Sequence, residues 1–154
     1  MAALTAEPLE AWLRTVLAAA TPSERRGIMR DVAQQLRRSQ ADRIAAQRNP
    51  DGSPYAPRKA QPQLRNTRGR LRRTMFERMR TNAHLKASST AEDATVSIDG
   101  ASGRIARVHQ YGLLDRVQRN RGLTIRYPVR ELLGFTDDDK RAALQALLEH
   151  FTPR

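Results

Sequence analysis

The segment that most restricts what this chain can fold into runs from Thr21 to Arg48. Thr21-Pro22-Ser23-Glu24 is written like a helix start. Thr serves as N-cap, Pro stands at the first helical position where its missing N–H costs nothing, and Glu three residues after the cap can close a capping box. Gly27 is the only strong breaker before Asn49-Pro50-Asp51-Gly52, where Pro50 and the Asp-Gly pair force a turn. Ile28, Val32, Leu36 and Ile44 fall at i, i+4, i+8 and i+16, so they form one ridge of a long amphipathic helix. The remaining elements have to pack along that ridge.

Upstream, Leu9, Trp12, Leu13, Val16 and Leu17 make an apolar stripe on a helix over about residues 6–19, with Trp12 placed to pack it onto the body. Downstream, Pro54, Pro57 and Pro62 keep the chain extended. Residues 60–70, rich in Arg, Gln and Asn and poor in apolar anchors, read as a mobile loop. Leu71, Met75, Phe76 and Met79 recur at helical spacing and predict a short basic helix ending near Thr81. His84 to Thr90 and Ala94 to Asp99, joined by a polar turn, predict an antiparallel hairpin.

Gly100 and Gly103 bracket a turn into a short helix with Ile105, Val108 and Tyr111 on one face and Gly112 as its C-cap. Leu123 to Tyr127 predicts a strand stopped by Pro128. Thr136 and Asp137-Asp138-Asp139 open a last helix, with negative charge at the positive end of its dipole and Leu144, Leu147, Leu148 and Phe151 as its stripe. The expected fold is one α+β domain over residues 1–154: a short antiparallel sheet packed against a long N-terminal helix and a C-terminal helix, with an extended basic loop.

Charge is unevenly placed. The net is +12, yet residues 58–80 hold nine basic residues against Glu77 alone, and residues 104–130 hold seven against Asp115 alone. Such fields attract nucleic acid or an acidic protein surface, and the plainer reading is a solvated face in an Arg-rich chain. There are no cysteines, which excludes disulfides, thiolate metal sites and Cys nucleophiles and fits a reducing cytoplasm. Glu7, Pro8, Glu10 and Arg14 interrupt the early apolar stretch, so neither a signal peptide nor a membrane anchor is expected.

No constellation for catalysis, cofactor or metal presents itself. His84, His109 and His150 lie far apart without ligand spacing, and no phosphate-binding glycine loop or exposed-nucleophile motif occurs. The chain therefore reads as non-enzymatic. The strongest interaction candidates are the basic residues Arg58, Lys59, Arg65, Arg68, Arg70, Arg72 and Arg73. Base-specific DNA recognition is poorly served, because Phe76 is the one aromatic in that stretch and belongs to an apolar face. Nonspecific DNA contact stays compatible.

Three motifs complete the reading. Arg104-Ile105-Ala106-Arg107-Val108-His109-Gln110-Tyr111-Gly112 is followed by a polar loop, a strand and then Tyr127-Pro128-Val129-Arg130-Glu131-Leu132-Leu133-Gly134. Upstream, Arg43-Ile44-Ala45-Ala46-Gln47 leads into Asn49-Pro50-Asp51-Gly52-Ser53-Pro54-Tyr55. In this order the motifs resemble the tail completion, or virion morphogenesis, proteins of contractile-tailed bacteriophages.

His109, Gln110, Tyr111 and Gly112 read as a structural cluster at a helix end, with Pro128 and Gly134 shaping the second motif. Arg130 suits an internal salt bridge or a subunit contact, its guanidinium aimed at a carboxylate or at backbone carbonyls. The resemblance implies a structural protein at the head-proximal end of the tail that finishes it for joining to the head. It further implies tail tube, tail terminus or neck proteins as partners, a homo-oligomeric ring of the kind that is often hexameric in related proteins, and residence in the virion after assembly in the host cytoplasm. The alternative class is a basic nucleic-acid-binding accessory protein.

Overall fold

The computed structural model describes residues 6–59, 74–117 and 122–151. Its spine is the anticipated helix. After helix α1 (Ala6–Ala19), helix α2 runs Pro22–Ala45. The capping box is closed: the Thr21 hydroxyl accepts from the Glu24 N–H, and the Glu24 carboxylate accepts from the Thr21 N–H at 2.7 Å. The helix ends at Ala46, and Gln47 takes a left-handed φ of 58° that turns the chain into the Asn49–Pro54 loop.

The buried ridge of α2 serves two cores. Ile28, Val32 and Leu36 pack with Ala143, Ala146, Leu147 and Phe151 of the last helix, α4 (Asp137–Phe151). Ile44 packs with Met79, Leu85, Ile98, Ala106 and Leu132. Ile28, Ile44, Leu85 and Leu132 are almost fully enclosed, and truncating such side chains costs about 2–5 kcal/mol each.

The hairpin β1 (Leu85–Ser89) and β2 (Ala94–Ile98) is antiparallel as expected, with Leu85 opposite Ile98 and the Thr90 hydroxyl accepting from the N–H groups of Glu92 and Asp93 in the turn. It lies across α2. Helix α3 (Gly100–Tyr111) follows and ends at Gly112, in the left-handed region at φ 60°. Then β3 (Leu114–Arg116) pairs antiparallel with β4 (Thr124–Arg126). The sheet is thus two separate two-stranded ribbons rather than one. At the start of α4 the Asp139 carboxylate accepts from the Thr136 N–H, and the Thr136 hydroxyl accepts from the Asp139 N–H; Ser39 of α2 also donates to Asp139, which is buried. One carboxylate therefore caps α4 and fixes it to α2.

Four expectations need correction. The basic helix over 71–81 is not formed in its described part: Thr74 to Thr81 is a run of turns, and Phe76 sits at φ 64°, a conformation no helix accommodates. Gly103 lies inside α3 rather than in a turn before it, under the Ile98 carbonyl, which an added Cβ would meet at 2.5 Å. The inner face of α3 is Ala106 and Val108, leaving Ile105 and Tyr111 exposed. The α4 seam uses Ala143 and Ala146 beside Leu147 and Phe151, so two helices approach closely over small residues while Leu148 faces outward. The expected mobile loop at 60–70 and the packing of Trp12 fall outside the described residues or side chains. Among the described residues no helix is long and apolar enough to cross a membrane.

Candidate interaction surface

The three motifs that stand far apart in sequence meet in one junction at the C-terminal end of α2. Arg43, buried on the last turn, donates to the carbonyls of Arg48 at 3.2 Å, Glu131 at 2.9 Å and Leu132 at 2.9 Å. Asn49 Oδ1 accepts the Glu131 N–H at 2.9 Å, and the Tyr55 hydroxyl donates to the Glu131 carbonyl at 3.3 Å. The first motif is thereby fastened to the third through backbone groups that no helix or strand satisfies.

Two glutamines use the same device. Gln47 donates to the Met75 carbonyl at 2.9 Å and accepts the Met75 N–H at 2.8 Å, while Gln110 donates to the Leu133 carbonyl at 2.7 Å and accepts the Leu133 N–H at 3.0 Å. Each side-chain amide substitutes for a neighbouring strand. A primary amide can do this because it carries donor and acceptor on the same plane.

Arg130 is the hub. It is 4% exposed and donates to the carbonyls of Ala56 at 2.7 Å and Pro57 at 2.9 Å, and to His109 Nδ1 at 3.0 Å; its own N–H donates to the His109 carbonyl at 2.8 Å. These partners are carbonyls and an imidazole, in place of the carboxylate that an internal salt bridge would require. A guanidinium always donates, so His109 Nδ1 is the acceptor and the ring proton sits on Nε2. Burial, with the charges of Arg130 and Arg58 beside it, pushes the imidazole pKa down to about 4. Burial and then Arg58 lower that of Arg130 as well.

Around this pair four rings stack edge to face. Tyr55 meets Phe76 at 5.8 Å between centroids, Phe76 meets His109 at 4.8 Å, and His109 meets Tyr127 at 5.0 Å. Such contacts add about 0.5–1.5 kcal/mol each beyond area burial. The left-handed Phe76 is what turns its ring into the stack.

The predicted residues therefore divide. His109, Gln110, Gly112, Pro128, Arg130 and Gly134 belong to the junction or its edges: an added Cβ on Gly112 would meet Val129 Cγ2 at 2.8 Å, and one on Gly134 would meet Pro50 Cγ at 2.4 Å. Tyr111 does not belong to it. It is 66% exposed, at the rim of an open recess of about 350 Å³ lined also by Ile98, Ala106, Gln110 and Leu133. Arg58 and Lys59 are exposed where the chain leaves the junction. Arg65, Arg68, Arg70, Arg72 and Arg73 lie outside the described residues.

Sequence reasoning missed Arg43, Gln47 and Asn49 as junction residues. The available signal was their position: polar side chains at the end of an apolar ridge, directly before a Pro-Asp-Gly turn. It also passed over Leu114 and Leu123, 58% and 81% exposed on the β3–β4 ribbon.

A profile of the phage virion morphogenesis family matches residues 4–152. Among curated proteins, tail completion protein S of Escherichia phage P2 is 41% identical over 131 residues, covering 84% of this chain and 86% of that relative. No solved structure matches significantly.

Proposed function

Because the chain belongs to the phage virion morphogenesis family, we propose that it is a structural tail completion protein, acting at the head-proximal end of a contractile tail to finish it for head joining. The observation that carries this reading is the similarity to tail completion protein S along 84% of the chain. The fold supports it in physical terms. The junction locks both ends of the basic excursion, at Ala56 and Pro57 on one side and Met75 on the other, onto the core. The stretch 58–80 carries a net charge of +8, which suits an acidic neighbour.

The working form we propose is a ring of copies on the end of the tail tube, with neck proteins as further partners. Contact with DNA is electrostatic and sequence-blind. A basic nucleic-acid accessory protein is the rival reading, and +12 is its support.

Deletion of the gene from its phage genome, with complementation in trans, separates the two. Loss should give full heads and separate tails, restored by the wild-type gene. It should not be restored by a variant with Arg65, Arg68, Arg70, Arg72 and Arg73 all changed to Glu. Labelled protein should decorate one end of purified tails in electron micrographs. Joined particles in the deletion strain would overturn the reading, as would sequence-selective duplex binding at physiological salt, since nonspecific binding weakens steeply as salt rises.

A further inference from the structure

The β3–β4 ribbon has little support from the rest of the fold. It has three residues in each strand and, among the described residues, packs extensively on no other helix or strand. Arg104 of α3 grips Asp115 with both carboxylate oxygens at 2.7–2.8 Å, Arg126 donates to the Gly112 carbonyl at 3.1 Å, and the Tyr127 N–H donates to the Leu113 carbonyl at 3.1 Å. A lone two-stranded ribbon is marginal in water unless a third strand or a packing face covers it.

This ribbon nevertheless holds its apolar residues in solvent. Leu114 is 58%, Val117 46% and Leu123 81% exposed, with Leu113 at the root. Single exposed apolar residues need no explanation, but Val117 and Leu123 form a pair: the Val117 N–H donates to the Leu123 carbonyl at 3.3 Å, so the two stand opposite each other and share one face of the ribbon, while the pleat turns Leu114 to the other face with Arg116 and Arg126. Arg116 and Arg126 are exposed on the same ribbon, and the only carboxylate between residues 104 and 130, Asp115, is already taken by Arg104.

We propose that the β3–β4 ribbon is a docking element whose Val117–Leu123 pair enters an apolar recess on an acidic protein surface of the tail or neck. The inference rests on the tail-completion reading and adds the surface and the chemistry of its partner. The pattern selects the occupant. Guanidinium groups alone would serve a phosphate backbone, which gains nothing from branched aliphatic side chains held beside them. A second copy fits this face less well, because each chain carries +12 and sets like charge against the ribbon's arginines, which leaves the proposed ring to other surfaces. An acidic surface with an apolar centre complements both features.

The test uses the full chain, wild type and L123E, with tails purified from the phage genome lacking this gene, duplex DNA as a second probe, and sedimentation of the protein alone. Position 123 is so exposed that the melting temperature of L123E should match wild type. Expected are at least tenfold weaker binding of L123E to tails, wild-type tail binding that weakens as salt rises, and unchanged duplex binding. Equal tail binding by both proteins overturns the docking proposal alone. A parallel loss of duplex binding assigns the ribbon to DNA, and a wild-type oligomer dissociated by L123E assigns it to a second copy; either result overturns it. A melting temperature lowered by L123E shows the ribbon packed within its own chain and also overturns it. Wild-type protein that ignores the tails removes the tail-completion reading, and the proposal falls with it.

Discussion

Gln110 and Leu133 are joined as two strands would be, by a reciprocal pair of hydrogen bonds at 2.7 and 3.0 Å across 23 residues of sequence. The amide orientation is essential to the pair. Gln110→Glu keeps the size and the acceptor but turns the donor into a second acceptor facing the Leu133 carbonyl. We expect a loss of about 1–3 kcal/mol at neutral pH, with part of it recovered on acidification as the carboxyl regains a proton. Urea unfolding of both proteins at pH 7 and pH 4.5 measures this.

His109 should make stability depend on acidity. Its folded pKa of about 4 lies below the ordinary 6.5, so the unfolded chain takes up the proton first. The stability it contributes is complete above pH 6.5 and declines as pH falls towards 4. The loss is on the order of 2 kcal/mol, since each unit of separation is worth about 1.4 kcal/mol and the ring is only partly enclosed. His109→Gln should flatten that part of the profile relative to wild type, as read from unfolding midpoints between pH 7 and pH 4. Identical slopes in the two proteins would contradict the assignment of the Arg130 contact to a neutral ring.

Arg43→Lys tests the three-carbonyl clamp. A lysine ammonium cannot span the carbonyls of Arg48, Glu131 and Leu132 as a planar fork does, and it carries its charge into the same buried space. The expected cost is about 2 kcal/mol, seen as a lower urea midpoint with an unchanged slope.

Three glycines should respond differently to alanine. Gly27 faces open space in the second turn of α2, so Gly27→Ala should stabilise by about 0.5–1 kcal/mol. Gly134→Ala drives a methyl into Pro50, and Gly112→Ala adds strain at φ 60° to a contact with Val129; each should cost about 1–3 kcal/mol. Thermal melts of the three variants should rank Gly27→Ala above wild type and the other two below it.

What could be read from the sequence was what local chemistry decides. The Thr21 capping box, the ridge from Ile28 to Ile44, the hairpin ending at Ile98 and the left-handed Gly112 all follow from residues within a few positions of one another. Phe76 shows the opposite case. Its spacing with Met75 and Met79 is helical, but the ring's place between Tyr55 and His109 requires a positive φ, and that demand comes from segments 21 and 33 residues away. Strand β3 was missed because Leu114-Asp115-Arg116 is too short to show a period. The motifs around His109 and Arg130 were visible as motifs, whereas their carbonyl partners at Ala56 and Pro57, 74 and 73 residues from Arg130, were not.

Arg130 anchors Pro57 and Gln47 anchors Met75, so the chain is tied to the junction at two fixed points 18 positions apart. Once both ends of an insertion are pinned, its length is nearly free: doubling a flexible loop costs only about 0.6 kcal/mol of closure entropy. Sequence change between the two anchors therefore leaves the four-ring stack and the two glutamine amides as they are.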